Sequence, residues 1–202
     1  MVKLSHIAVC CVCLLLGGCA LAGLGGTGAP ETFDLTPAAI AKHDGRKVPL
    51  HVSVALPSAT RPLETDQILV RDASGKLSYF GGAAWGDRLP RLVQSRLVQA
   101  LADSGRFRVV GTSQDRVQGD VTLALELRSF NVQVDNGHAK GVVDLVAKLI
   151  DERQDRVVAT RRFEMTAPAL KDDAASGVAA LTQAFHSIAQ DIVAWTANPR
   201  AV

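Results

Sequence analysis

Residues 121–151 read VTLALELRSFNVQVDNGHAKGVVDLVAKLID, and this stretch carries the strongest fold signal in the chain. Apolar and polar residues alternate in its first half, with the apolar ones at odd positions up to Leu127 and at even positions from Phe130. Alternation with a period of two is typical of a β-strand with one buried face. A change of phase by one residue is what a β-bulge produces, so we predict a bulge near Ser129.

The second half of the stretch predicts a hairpin and a central strand. Asp135-Asn136-Gly137 is a strong signal for a tight turn, because Asn and Gly tolerate the positive φ angles that such turns need. The return strand, at about 139–151, is apolar at nearly every position, which favours a strand covered on both faces. The polar residues 152–155 predict a further turn.

Shorter segments with strand character surround this pair, and Pro, Gly or polar residues bound them. We predict strands at 33–37, 48–56, 67–71, 76–80, 107–110 and 157–166, with a hairpin turn at 72–75.

Two segments have helical periodicity, with apolar residues at spacings of three and four. The first is expected to begin at Asp87 and end at Ser104-Gly105, and the second to begin at Asp172 or Asp173 and end at Asn198-Pro199. The apolar stripe of the second helix fits packing on the domain's own sheet, and a coiled-coil seam with a partner stays open. Together the segments predict an α+β domain with a mostly antiparallel sheet and two amphipathic helices packed on it, a two-layer sandwich.

The composition limits the classes of protein that fit. The chain has 202 residues, of which 48% are hydrophobic and 21% charged, with 22 Lys and Arg against 20 Asp and Glu. This length suits one domain with a sizeable core. The formal charge of +2 argues against a nucleic-acid-binding protein, which would have a strongly basic surface. No second domain boundary or internal repeat is visible, so 33–198 is predicted to be a single domain.

The first 19 residues have the order of a bacterial lipoprotein signal. Lys3 is followed by an apolar run at 7–16, and two glycines then precede Cys19. Ten apolar residues are too few to cross a hydrocarbon core of about 30 Å, which favours a cleaved signal peptide. Leu16-Gly17-Gly18-Cys19 resembles a lipobox, which implies that the signal peptide 1–18 is removed and that Cys19 is acylated.

The residues after Cys19 predict a tether and a location. Residues 20–32 are rich in Gly and Ala, so 19–32 are expected to form a lipidated, flexible tether. Several acyl chains on one residue hold a protein on a membrane essentially permanently. Ala20 stands where a retention signal for the inner membrane would place Asp. By analogy with lipoprotein sorting, this favours the outer membrane of a Gram-negative bacterium, with the domain facing the periplasm.

Signals for catalysis or for metal binding are nearly lacking in this sequence. The histidines after the predicted signal peptide are His43, His51, His138 and His186, and they form no HExxH or other dense ligand motif. No GxSxG sequence is present, and all four cysteines lie in the first 19 residues. We therefore expect no enzyme activity, no metal ion and no cofactor.

A small group of aromatic and basic residues is the candidate partner-binding site. Tyr79, Phe80 and Trp85 lie in a Gly-rich stretch before the first predicted helix, which we interpret as a loop. Trp and Tyr favour contact sites because they bury much area at a low entropy cost. Arg88 and Arg91 add basic groups for a phosphate headgroup or an acidic partner. Packing of the aromatics over the end of the core, and a solvated helix face for the arginines, stay open as alternatives.

The stretch 63–110 resembles the ABC-type transport auxiliary lipoprotein family, which includes the paraquat-inducible lipoprotein. The resemblance lies in the aromatic end of a strand pair at Tyr79-Phe80, then Trp85, an amphipathic helix at 92–101 and the turn Ser104-Gly105-Arg106-Phe107. The opening Phe33-Asp34-Leu35 and the lipobox also fit the family.

The family implies service to an MCE (mammalian cell entry) transport system, in which an inner-membrane ABC transporter works with a periplasmic MCE protein. The expected role is that of an outer-membrane lipoprotein that docks these partners without catalysis, with phospholipid or another apolar molecule as cargo and without nucleic acid. Two alternatives stay open: a lipid-carrying lipoprotein with a pocket between the bulged strand and the last helix, and an envelope assembly factor. A homo-oligomer is equally compatible with the sequence.

Overall fold

A computed structural model of the protein describes residues 29–115 and 119–198. The predicted signal peptide, Cys19 and the tether up to residue 28 lie outside the described residues. In chain order the elements are β1 (Glu31–Phe33), β2 (Val48–Val54), β3 (Ser58–Ala59), β4 (Gln67–Asp72), β5 (Leu77–Trp85), α1 (Leu89–Asp103), β6 (Phe107–Thr112), β7 (Val121–Asp135), β8 (His138–Asp151), β9 (Arg156–Pro168) and α2 (Ala174–Ala197). Two single 3₁₀ turns lie at Arg61–Leu63 and Ser113–Asp115.

The long hairpin predicted from 121–151 is confirmed. β7 pairs with β8 in antiparallel register along its whole length, and the register shifts between Leu127 and Ser129. Arg128 is therefore the extra residue of the bulge. Asn136 and Gly137 have φ angles of 49° and 77°, as a tight hairpin turn requires. β9 then pairs with β8, again antiparallel.

The strands that pair with the second edge of β7 show that the prediction of a mostly antiparallel sheet was wrong. β2, β3 and β4 pair with β7 one after another, and all three run parallel to it. Five of the eight pairings that the described strands make are parallel, so the sheet is mixed rather than mostly antiparallel. An alternating pattern identifies the buried face of a strand, but neither the strand that pairs with it nor the direction of that pairing. A parallel pair needs a crossover connection, and here the chain between β4 and β7 supplies it.

Within the described residues the sheet has nine strands and curls into a half-barrel. Its path runs β1-β5-β4-β7-β2-β6, while β8 and β9 extend it from the other edge of β7. The fold is therefore α+β, with α1 linking β5 to β6 and α2 following β9.

α2 lies unusually close to the sheet at two glycines. A Cβ added to Gly141 on β8 would lie 2.5 Å from the backbone nitrogen of Leu181 on α2. A Cβ added to Gly177 on α2 would lie 2.7 Å from the side chain of Val132 on β7. The predicted apolar stripe of this helix is buried, which confirms that it packs on the domain's own sheet; its members are Val178, Leu181, Phe185, Ile188, Ile192 and Trp195.

α1 begins later than Asp87 and without the expected cap. Arg88 is the N-cap residue and makes no side-chain capping bond, while the Asp87 carboxylate accepts the Arg88 backbone N–H at 2.7 Å. The helix is stabilised instead by burial of its apolar face, which includes Leu89, Val93 and Leu97. No helix among the described residues is long and apolar enough to span a bilayer.

Candidate functional site

Trp85, a predicted contact residue, lies in the core. The predicted loop around it is a strand, because β5 continues through Gly81 and Gly82 to Trp85. The Trp85 side chain is 3% exposed, and its ring forms a T-shaped pair with that of Phe130 at a centroid distance of 6.0 Å. The indole is thus inaccessible from the surface in this structure.

The other four predicted contact residues have two different settings. Tyr79 is 39% exposed, and its hydroxyl donates to the Pro62 carbonyl oxygen at 3.3 Å. Phe80 is half-buried, with its ring beside Gly177 of α2. Arg88 and Arg91 are exposed at the start of α1. Tyr79 and the two arginines are therefore available to a partner, whereas Phe80 packs beside α2.

A segment without regular structure, Asp34–His43, crosses from β1 to β2 and is held by both helices; we call it the strap. The Arg96 guanidinium on α1 donates to the Leu35 carbonyl oxygen and forms an ion pair with Asp34. His186 on α2 lies 2.8 Å from the Thr36 carbonyl oxygen, so its Nε2 carries the proton. Gln190 donates to the Ala39 carbonyl oxygen at 2.9 Å.

The strap and α2 form the two walls of an open channel of about 600 Å³. Phe33, Asp34 and Thr36 line it from the N-terminal side. The α2 side chains in its wall include Val178 and Thr182. The channel thus lies on the solvent-facing side of α2, beside the strap.

A second channel of about 490 Å³ adjoins the first along the same helix. Both are lined by Ala175, Ala179 and Gln183, while Pro168 and Leu170 line the far side of the second. We call the two together the α2 groove.

The space between β7 and α2 is filled with side chains. Phe130 on β7 and Phe185 on α2 are 1% and 0% exposed, and their ring centroids lie 6.2 Å apart. Leu127 and Leu181 are buried beside them in the same core. The channels at α2 lie on the opposite, solvent-facing side of the helix from the position expected for a carrier's pocket.

The polar residues that hold the strap were not identified from sequence. Arg96 occupied a polar position of a predicted amphipathic helix, and His186 stood beside the apolar stripe of another. Neither position indicates a bond to a backbone carbonyl of the strap, which has no periodicity of its own. In the two described segments, 29–115 and 119–198, no three His, Cys, Asp or Glu side chains gather to hold a metal ion.

Comparison with known proteins shows relatives of this chain. A protein of Bradyrhizobium diazoefficiens, itself uncharacterised, is 29% identical over 174 residues, which is 85% of this chain. The alignment covers 47% of that relative, so the chain spans about half the length of the curated protein that it matches.

Solved structures share the fold. A crystallised protein of Xanthomonas campestris is 28% identical, with a TM-score of 0.75 over 82% of this chain and 94% of its own. Another crystal structure has a TM-score of 0.63 at 15% identity, over 83% of this chain and 99% of its own, and this likeness concerns the fold alone.

A family model described as the ABC-type transport auxiliary lipoprotein component matches residues 33–193. That match covers every described helix and strand except the first residues of β1 and the end of α2. The resemblance in the sequence is thereby confirmed: the chain belongs to the ABC-type transport auxiliary lipoprotein family.

Proposed function

We propose that this protein is a non-catalytic docking component of an ABC-type lipid transport system, held at the outer membrane through acylated Cys19 and facing the periplasm. The match of the family model to residues 33–193 carries the proposal. The proposed partners are an MCE protein and the ABC transporter of the inner membrane, and the proposed cargo is phospholipid or another apolar molecule.

The charge of the protein supports docking by specific contact. Removal of residues 1–18 would take away Lys3 and leave 21 basic against 20 acidic residues. A body with so little net charge attracts neither membranes nor partners over a long range. An anchored body instead raises the concentration of a bound partner near the membrane, and the tether length sets that concentration.

The exposed residues Tyr79, Arg88 and Arg91 are the proposed contacts for a partner. Tyr79 offers a partly exposed ring whose hydroxyl is fixed by the Pro62 carbonyl, which lowers the entropy lost on binding. If Tyr79 contacts a partner, replacing it with Ala weakens capture of the transport components without unfolding the protein.

Cys19→Ser is expected to release the protein from membranes, because the serine hydroxyl does not take the thioether-linked lipid. The measurement is the fraction of full-length protein that sediments with membranes after expression in a Gram-negative host. Cys13→Ser is the matched control, since residue 13 lies in the signal peptide that is predicted to be removed. A membrane-bound Cys19→Ser variant from which residues 1–18 have been removed, or equal release of both variants, contradicts the anchor.

Docking itself is tested by pull-down from membranes with the acylated full chain. The expected result is recovery of the MCE protein and the ABC transporter, and loss of both with Cys19→Ser. Recovery of outer-membrane barrels in their place would favour the envelope assembly factor. Unchanged recovery by the unanchored variant would show that partner binding does not depend on confinement to the membrane.

A further inference from the structure

We propose that the α2 groove binds the acyl chain of a neutral or zwitterionic amphiphile, with the hydrocarbon at its Leu170 end and the headgroup at its Gln190 end. Docking of a transport partner does not require such a groove, so the inference goes beyond the proposed function. It rests on the polarity of the groove, which changes from one end to the other.

One end of the groove is apolar and open. Leu170 is 94% exposed and stands beside Pro168, at the channel wall formed by Ala175 and Ala179. The exposed leucine side chain and the apolar wall of the channel beside it both leave apolar surface in contact with water, which is unfavourable. A hydrocarbon chain lying between them would remove that area from water.

The other end of the groove carries hydrogen-bonding groups. Ser187 and Gln190 line it together with Thr36 of the strap, whereas Gln183 lines both channels. Amide and hydroxyl groups of this kind donate to and accept from the esters, hydroxyls and phosphates of lipid headgroups. Ala175 and Gln190 are fifteen residues apart, which is about 22 Å along a helix.

The charges of the groove select among amphiphiles. From Ala174 to Gln190 the helix contains no Asp, Glu, Lys or Arg, whereas the solvent face of a surface helix ordinarily carries charged residues. Asp34, the carboxylate in the lining, is paired with Arg96, and Asp191 is exposed just beyond Gln190. Among the described residues the lining of the groove contains no Lys or Arg, so an anionic headgroup would find no counter-ion from these side chains, and a neutral or zwitterionic headgroup is favoured.

The change in polarity also favours an amphiphile over a protein helix or a second copy of this chain. A docked helix buries an apolar stripe along its whole contact. The α2 groove offers an apolar surface near Leu170 and a hydrogen-bonding surface near Gln190. An amphiphile has the same order of chemistry from tail to head.

The proposal is tested by photocrosslinking of the full chain in cells, before any detergent competes for the groove. A benzophenone amino acid replaces Ala179 in the groove, and in a matched variant it replaces Ala194, which is exposed on α2 outside the groove lining. The expected product at 179 has the added mass of an acyl lipid with a neutral or zwitterionic headgroup, several times more abundant than at 194. A protein adduct, a dimer of this chain, an anionic lipid adduct or equal yields overturn the proposal.

The Ala175→Glu variant makes the test more specific. Its carboxylate lies at the apolar end of the groove and must lose its hydration when the acyl chain of a lipid binds there. We expect it to lower the lipid adduct at 179 about tenfold, while Ala194→Glu leaves the yield unchanged. Ala175→Glu places its charge in the first turn of α2, where a negative charge favours the helix, and Ala194→Glu places it in the last turns, where it does not. Unfolding therefore cannot produce the expected difference, and equal yields from both variants would overturn the site. The adduct mass and the pull-down are separate measurements, so failure of this inference is distinguishable from failure of docking.

Discussion

Trp85 shows how far the setting of a single residue alters its expected role. Its indole packs against Phe130 in the core, so Trp85→Ala should destabilise the protein by about 3–5 kcal/mol. The measurement is the free energy of unfolding from a denaturant titration. Tyr79→Ala is the control on the same strand, because its side chain is 39% exposed and should affect stability by about 1 kcal/mol or less. Equal losses from the two substitutions would contradict the burial of the indole.

Asp120 joins three parts of the chain at the start of β7. Its carboxylate accepts the His51 backbone N–H at 3.0 Å and pairs with Arg153 at 2.9 Å. The His51 bond, and secondarily the charge of Arg153, hold the pKa of this carboxyl below its usual value. The ionised form therefore stabilises the folded state above the ordinary pKa of about 3.9, and this stability is lost as the pH falls through the lower folded-state pKa.

Asp120→Asn should reduce stability near pH 7 by up to about 1 kcal/mol, since Arg153 is largely exposed. The difference from the parent protein should shrink below about pH 4, where the aspartate gains its proton. Thermal melts across pH 2.5–7 measure this. Asp44→Asn, at an exposed position in the loop before β2, serves as the control. A difference that is constant with pH would show that the charge of Asp120 does not contribute.

Single-residue roles were predictable where local chemistry determines them. The turn at Asp72 is an example, because the carboxylate accepts from the backbone N–H of Ser74 and Lys76, both 2.9 Å away, within four residues of sequence. Arg96 is the opposite case. Its partners Asp34 and Leu35 lie about sixty residues away, and no local pattern connects them.

At the scale of elements, the contact between α2 and β8 depends on Gly141. Its φ is not positive, so the constraint is space: a Cβ there would lie 2.5 Å from the backbone of α2. Gly141→Ala must push the helix away and should destabilise the protein by about 1–3 kcal/mol. Gly81→Ala on β5 is the matched control, since nothing lies within 4 Å of its added Cβ. Denaturant midpoints of the two variants measure the difference, and a loss as large for Gly81→Ala would refute the close packing.

Elements joined by short turns were easier to predict than elements joined through space. The β7–β8 hairpin, its bulge and the buried stripe of α2 follow from patterns within one or two segments of sequence. The parallel pairing of β2 with β6 joins residues more than fifty positions apart, with α1 between them. Alternating apolar residues carry no information about a pairing partner so far along the chain. The sheet was therefore predicted from its hairpins alone, as mostly antiparallel.

At the scale of the whole molecule, the strap is held to the rest of the domain by side chains of both helices. β1 pairs with the end of β5, and the strap that follows is held by Arg96, His186 and Gln190. Three side-chain bonds to backbone carbonyls therefore fix the strap against both helices. The same strap forms one wall of the α2 groove, so these bonds also fix one side of the proposed lipid site.

The location of the molecule should then depend on the residues around its anchor rather than on its body, whose net charge is close to zero. Ala20→Asp places an acidic residue directly after Cys19, and we expect it to move the protein from the outer to the inner membrane in a host with lipoprotein sorting. Thr27→Asp adds the same charge to the tether at a distance from Cys19, and it should leave the location unchanged. Density-gradient separation of the two membranes measures the distribution. Outer-membrane sorting would be contradicted if the parent protein were found in the inner-membrane fraction, or if both variants relocated equally. Neither substitution changes a residue of the predicted domain 33–198, so a change in folding cannot account for the result.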